Sequence, residues 1–419
     1  MNLNKEYVFK KYNSIGKEEL KAASEVVEKG ILSTFVGSWS PSFFGGEQVQ
    51  SLEKEMSIYF GVKHAISVNS WTSGLICAVG ALGLEPGDEV IVPTWTMSAT
   101  ATAILVWNCV PVFADIDRDT FCISTESVKS LITPRTRAVI AVDIFGQSAE
   151  IEALRDICNK HDLFLISDSA QAPNAKRNNA FAGAISDIGG ISLNYHKHIH
   201  SGEGGVIFTD NDEFALRMKL IRNHGEVVLS EMPEKERPKV VDGLIGFNFR
   251  LGEIEAAIAR EQLKKLTKLT ERRSSIAQQL IAGLSNFPGI RLPKIDEMNT
   301  HVFYMFPVVL EGNALAIGRD RVCNALQNNG LFEVEQGYEN LHLLPIYQVR
   351  NAYGKSNLPW GLDEYFKASN YEKGSCIVAE EYKENSLFLL PLCVYELSDV
   401  DVAKVLAIFD ITWRELGLF

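Results

Sequence analysis

Paired cysteines, a basic excess and a long apolar run are all missing from this sequence, and each absence removes a class of protein. The seven cysteines (Cys77, Cys109, Cys122, Cys158, Cys323, Cys376 and Cys393) are odd in number, scattered and never spaced as CxxC. That pattern excludes a disulfide framework and a zinc ribbon and suits a reducing compartment. Cys77, Cys109, Cys122 and Cys393 stand among apolar neighbours, where a free thiol behaves as a small hydrophobe. Basic residues number 41 against 53 acidic ones, a formal charge of −12, so the chain lacks the basic face that nucleic acid requires. A local pocket can still be positive. No segment comes near the roughly 20 apolar residues of a membrane span, and the first residues lack the basic-then-apolar layout of a signal peptide. The expectation is a cytoplasmic protein with no nucleic-acid or membrane partner. Internal repeats and low-complexity tracts are absent as well.

What is present is a chain of 419 residues, 46% hydrophobic and 22% charged, an ordinary globular composition too long for one small core. From about residue 48 to 260 short apolar runs alternate with helix-length amphipathic stretches. His64–Val68, Glu89–Pro93, Val110–Ala114, Ala138–Val142, Leu163–Ser167 and Val206–Thr209 read as strands. The stretch after Thr72 to near Gly83, Ala99–Trp107 and Glu150–His161 read as helices. Strands so uniformly apolar, separated by helices, predict an α/β fold with a mostly parallel sheet covered on both faces. Ligands of such sheets bind at the carboxyl ends of the strands, where the loops carrying Thr72, Trp95, Asp168 and Lys197 should gather. Leu251–Leu284 reads as one long helix. Beyond it, strands at His301–Val309 and Ser386–Leu390 and helices at 319–329 and 398–408 predict a smaller α+β domain. The segment 350–375 reads as a long loop. The expected organisation is an N-terminal segment 1–47 packing on both domains, a large domain 48–286 and a small C-terminal domain 287–419.

The chemistry is concentrated in two places. Lys197 sits in Ser192-Leu-Asn-Tyr-His-Lys197-His-Ile-His-Ser-Gly202-Glu-Gly-Gly205, and Asp168 ends the apolar run Ile166-Ser-Asp168-Ser-Ala-Gln171. Taken singly, Lys197 reads as a solvated surface charge and Asp168 as a helix N-cap after a strand. Together they are the two groups that pyridoxal phosphate chemistry demands. A lysine amine forms a Schiff base with the coenzyme aldehyde, and a carboxylate keeps the pyridine nitrogen protonated so that the ring can absorb electrons.

Read with Gly87-Asp-Glu-Val-Ile-Val-Pro93, Asp143-Ile-Phe-Gly-Gln147, Arg222-Asn-His-Gly225 and Gly246-Phe-Asn-Phe-Arg250, these segments resemble the DegT/DnrJ/StrS family of sugar aminotransferases over most of the chain. The resemblance implies fold-type I, with a mostly parallel central sheet and a smaller α+β C-terminal domain, and pyridoxal 5'-phosphate as cofactor. Carried over by position, Lys197 matches the Schiff-base lysine and Asp168 the acid on the pyridine nitrogen. Gln171 matches the residue beside the ring, Thr72 and Ser73 the loop whose amides hold the phosphate, and Ser192 a hydroxyl on that phosphate. Asn248 matches an asparagine lent by a neighbouring subunit, which implies a homodimer with shared active sites. Thr72 and Ser73 also open a helix just after a strand, where free amides and the dipole favour an anion.

Met97 occupies a position where the family places an aromatic residue on the coenzyme ring. Either its polarisable thioether covers the ring, the favoured reading, or Trp95 reaches in from two residues away. His196, His198 and His200 alternate around Lys197, but without cysteine or acidic ligands at metal-like spacing no metal is expected. His196, His198, Trp95 and Arg250 are candidates for contacts with substrate. The cluster Phe35, Trp39, Phe43 and Phe44 reads as packing. The function implied is transfer of an amino group from glutamate or glutamine to a keto sugar, nucleotide-linked in the family's manner, for amino sugar biosynthesis of surface polysaccharide. The alternatives are a free keto sugar acid of the octulosonate kind as acceptor, or a coenzyme-binding regulator without catalysis. A nucleotide-binding oxidoreductase ranks lower, since no G-x-G-x-x-G follows the first strand.

Overall fold

A computed structural model describes residues 7–237, 244–295, 298–363 and 371–419. After helices α1 (Lys17–Lys29) and α2 (Glu47–Phe60), the chain enters strand β1 (His64–Val68), helix α3 (Trp71–Ala81), β2 (Glu89–Pro93), α4 (Ser98–Val106), β3 (Val110–Ala114), α5 (Thr125–Leu131), β4 (Thr136–Val142), α6 (Ile151–His161) and β5 (Phe164–Asp168). A two-residue hairpin, β6 (Lys176–Arg177) and β7 (Ala180–Phe181), precedes β8 (Ile188–Ser192), β9 (Gly205–Thr209) and α7 (Asp212–Arg222).

Seven strands form one sheet in the order β1-β9-β8-β5-β4-β2-β3. The pairs from β8 through to β3 are parallel, and β9 alone runs the other way, antiparallel to both β8 and β1. Six strands therefore end on one rim. Their residues are almost wholly buried, which is why each reads as an apolar run rather than an alternation. β8 escapes the sequence reading because Gly189 and Gly190 carry no side chain to announce it.

The helix Glu253–Leu284 leads from this sheet to a three-stranded antiparallel one, β10 (Ile290–Arg291), β11 (Phe306–Leu310) and β12 (Leu387–Leu390). Its core joins Phe306, Val308, Phe388 and Leu390 to Trp413 of helix Asp399–Glu415 and to Leu280 and Leu284. The expected strand from His301 forms only from Phe306, because Phe303 takes a left-handed backbone at φ 47° that a strand does not tolerate. The N-terminal segment lies against this part of the molecule through Tyr12 N–H on Val394 O at 2.9 Å. Part of 350–375 lies outside the described residues; within the rest, Trp360 Nε1–H donates to the Tyr371 hydroxyl at 2.9 Å, which donates to Pro111 O at 2.7 Å. Pro111 lies on β3, an edge strand, so what reads as an irregular loop masks an open edge.

Candidate active site

The rim where the six strands end collects the loops that follow them, and the residues opening those loops explain the pocket. β5 ends on Asp168, whose carboxylate is buried. Trp71 Nε1–H donates to Oδ1 at 2.7 Å, the Thr100 hydroxyl to Oδ2 at 2.8 Å, and Ala170 N–H to Oδ1 at 3.2 Å. Burial raises the pKa of Asp168 above the ordinary carboxylate value, and these three donors and the charge of Lys197 offset that only in part. No helix follows it, so the N-cap reading fails.

Lys197 lies in the loop from β8 to β9 and is only 8% exposed. Its Nζ stands 4.3 Å from the centre of the Tyr304 ring. Burial lowers its pKa to about 8, with Cys393 and then Asp168 opposing the shift. A lysine so placed is neutral for a substantial fraction of molecules near pH 8, as a nucleophile and proton carrier must be.

Gln171 is clamped at both ends of its amide. Oε1 accepts from Phe145 N–H at 2.8 Å, and Nε2 donates to the Tyr338 hydroxyl at 2.8 Å. Phe145 holds a left-handed backbone, φ 60°, uncommon for a bulky residue and usual for strained functional loops. Thr72 and Ser73 lie in the first turn of α3, capped by Ser70. Ser73 N–H already donates to Ser70 Oγ at 3.0 Å, so the first-turn amides of Trp71 and Thr72 are the ones left for an anion. Ser192 ends β8 and is buried, its hydroxyl accepting from Asn194 N–H at 3.2 Å.

Other candidates part company. Met97 is 62% exposed at the N-terminus of α4, whereas Trp95 is 0% exposed with its indole N–H on Asn340 Oδ1 at 2.8 Å. Trp95 therefore reaches neither a coenzyme face nor a substrate: the side chains two residues apart are held by different partners. His198 is likewise enclosed, its Nε2 on Val302 O at 2.9 Å, and is withdrawn as a substrate contact. His196 is half-buried and kept neutral, its pKa lowered to about 4 by burial and by Lys197. Asn248 is exposed, its Oδ1 accepting from the half-buried Arg250 Nε–H at 2.7 Å. Phe35 lies under the guanidinium groups of Arg222 and Arg250, while Trp39, Phe43 and Phe44 pack on one another. Among the described residues no group of three His, Cys, Asp or Glu side chains could hold a metal ion.

Sequence reading missed Trp71, Thr100, Tyr304, Tyr338 and Cys393. Only Trp71 left a signal, an indole where a helix opens on an anion-binding loop. Its ring fills a slot lined by Gly74 and Gly190, where a Cβ would come within 2.7 and 2.3 Å of the indole, and Gly205 leaves room for the Trp71 backbone at 2.9 Å.

The pocket fits pyridoxal phosphate. Asp168 has two oxygens with capacity for about four hydrogen bonds and receives three, leaving room for a protonated ring nitrogen. A buried amine faces it, and a helix N-terminus opens nearby for the phosphate. This sheet and this pocket define a fold-type I, pyridoxal-phosphate-dependent aminotransferase. The chain belongs to the DegT/DnrJ/EryC1/StrS aminotransferase family, whose model matches residues 15–368. It is 30% identical over 360 residues to the spore coat polysaccharide biosynthesis protein SpsC of Bacillus subtilis, covering 84% of this chain and 88% of that protein. It is 33% identical over 305 residues to GDP-perosamine synthase of Caulobacter vibrioides, covering 72% and 79%. Among solved structures, DesV of S. venezuelae in complex with a ketimine intermediate superposes with a TM-score of 0.77 at 28% identity, covering 93% of each chain. No helix of the described residues is long and apolar enough to cross a membrane.

Proposed function

We propose that this aminotransferase moves an amino group from glutamate or glutamine to a nucleotide-linked keto sugar, in a cytoplasmic homodimer, for amino sugar biosynthesis of surface polysaccharide. The observation that carries the reading is the buried Lys197 amine over the Tyr304 ring, within electrostatic reach of an Asp168 braced by an indole and a hydroxyl. Relatives named for GDP-perosamine and for spore coat polysaccharide support the choice of acceptor.

When bound, pyridoxal phosphate supplies a carbonyl that amines attack and a protonated ring that takes up an electron pair from carbon. Asp168 keeps the proton on the ring nitrogen, and Trp71 and Thr100 keep Asp168 ionised to do so. The Trp71 and Thr72 amides and the Ser192 hydroxyl would hold the phosphate, joined by Asn248 of a second copy. Gln171, fixed by Phe145 and Tyr338, would stand beside the ring, and Met97 would supply the group that covers it. Lys197 Nζ, neutral near pH 8, removes the proton from the α-carbon of the donor. In the second half-reaction it returns a proton to the sugar carbon that becomes aminated. His196 and Arg250 are the residues offered to substrate.

The test separates these steps. Purified protein loaded with the coenzyme is mixed with L-glutamate alone, and 2-oxoglutarate is counted. The expected yield is one equivalent per site, with no product from Lys197→Ala. The glutamate-treated protein is then offered nucleotide-linked keto sugars beside free keto sugar acids. Turnover by Lys197→Ala at the wild-type rate overturns the assignment of the lysine. Preference for the free acids overturns the nucleotide-linked acceptor, and a glutamate-inert protein that still holds the coenzyme supports the regulator instead.

A further inference from the structure

Between the N-terminal segment, the helix Glu253–Leu284 and the chain after β12 lies a cavity of about 460 Å³, walled by Tyr12, Leu269, Arg273, Ile276, Leu392 and Tyr395. Arg273 is 6% exposed, and its Nη1 is buried without a hydrogen-bond partner. Among the described residues no carboxylate pairs with it. The other cations on the rim are already engaged, Lys10 with Glu396 at 2.6 Å and Arg272 with Asp399 at 3.0 Å. The guanidinium of Arg273 stands 4.8 Å from the Tyr12 ring, another wall of the same cavity. Burial works against its charge, and Tyr12, Cys393 and Tyr304 offset that only in part.

A buried guanidinium without a counter-ion is costly to the fold. Its planar fork is matched by the paired oxygens of a carboxylate or phosphate. Leu269, Ile276, Leu392 and Leu397 give one side of the wall an apolar surface, which favours a ligand with a hydrocarbon body over a compact hydrated phosphate. The polar side carries Asn13, Ser398 and the carboxylates Glu396 and Asp401, which accept from Lys10 and from Ser398 and Tyr7 respectively. We propose that this cavity binds a small organic carboxylate with an apolar body, with Arg273 as its counter-cation. The cavity is lined by neither Lys197 nor Asp168, although Tyr304 and Cys393 act electrostatically on both Arg273 and the Lys197 pocket, and the proposal goes beyond the transamination. The two communicate through Tyr12, whose hydroxyl donates to the carbonyl of His198, next in the chain to Lys197, at 2.6 Å.

The experiment is calorimetric titration of the coenzyme-loaded protein with 4-bromobenzoate, its uncharged counterpart 4-bromobenzamide and inorganic phosphate, and bromine anomalous scattering from a soaked crystal. Expected are saturable binding of the benzoate, at least roughly tenfold weaker binding of the benzamide and of phosphate, and bromine density beside Arg273. Arg273→Gln should weaken the benzoate by a similar factor and Arg273→Lys by less, both keeping the coenzyme absorbance of the wild type. Equal binding of the benzamide, tighter binding of phosphate, unchanged affinity in Arg273→Gln or bromine elsewhere overturns the proposal. The comparison of the three probes on wild-type protein decides it even if the glutamine variant does not fold.

Discussion

Trp71 shows how much a single residue carries at this site. Its indole N–H is one of three donors on Asp168, and a hydrogen bond to a carboxylate is worth about 1.5–3 kcal/mol. Trp71→Phe keeps an aromatic ring in the glycine-lined slot and removes only the donor. Asp168 then binds its proton more tightly, and the acid limb of kcat/KM should move up by about one pH unit. A role in packing alone would leave the limb in place while lowering the melting temperature, so the pH–rate profile distinguishes the two. The identities of Lys197, Asp168 and Gln171 could be read from the sequence, because an amine, an acid and an amide stand in recognisable runs. Their partners could not: Thr100, Tyr304 and Tyr338 come from distant segments, and no local pattern marks a residue whose work is to donate to another. Trp95 and His198 misled for the same reason. Both stand beside site residues in the chain, yet Asn340 and Val302 hold them in the interior.

At the scale of elements, the glycines of β8 and β9 are what let α3 lie so close to the sheet. A Cβ at Gly190 would come within 2.2 Å of Val206 O and 2.3 Å of the Trp71 ring. Gly190→Ala should therefore destabilise by about 1–3 kcal/mol, the usual cost of overpacking, seen as a lower urea midpoint. Part of the loss facing Trp71 should return in the double variant with Trp71→Ala, since residues in contact do not contribute additively. The clash with Val206 O should persist in both. Strand and helix positions in the large sheet were legible because burial on both faces leaves long apolar runs. β8 was not, because its glycines trade hydrophobicity for close approach, and the strand at Phe306 began late because Phe303 breaks the extended backbone.

For the molecule as a whole, burial of ionisable groups predicts how stability follows pH. His301 accepts from Phe303 N–H at Nδ1, 3.0 Å, and burial lowers its pKa to about 3. Between about 6.5, the ordinary histidine value, and about 3 the unfolded chain binds a proton that the folded chain refuses. Stability contributed by neutral His301 is thus present above about pH 6.5 and lost as pH falls. Buried His198 acts in the same direction. Asp143, raised to about 7 mainly by burial, acts in the other: its folded form keeps a proton that the unfolded form releases above about 4, and that contribution is lost as pH rises through 7. His301→Gln isolates one term. The drop in unfolding free energy from pH 6.5 to 4.5, read from urea curves, should be smaller in the variant by about 2–3 kcal/mol. An identical drop in the two proteins would mean that His301 takes up a proton in the fold.

The sequence by itself determined the kind of sheet, the coenzyme and the lysine and acid offered to it, because hydrophobic runs and short motifs are local and a strand's end fixes where its last residue stands. Only the tertiary structure decided which donors hold Asp168 ionised, which aromatic faces Lys197, that Trp95 turns inward and Met97 outward, and that Arg273 is buried with no carboxylate paired to it among the described residues. Those outcomes depend on side chains arriving from separate segments and competing for the same few buried hydrogen bonds, a contest that distance along the chain does not record.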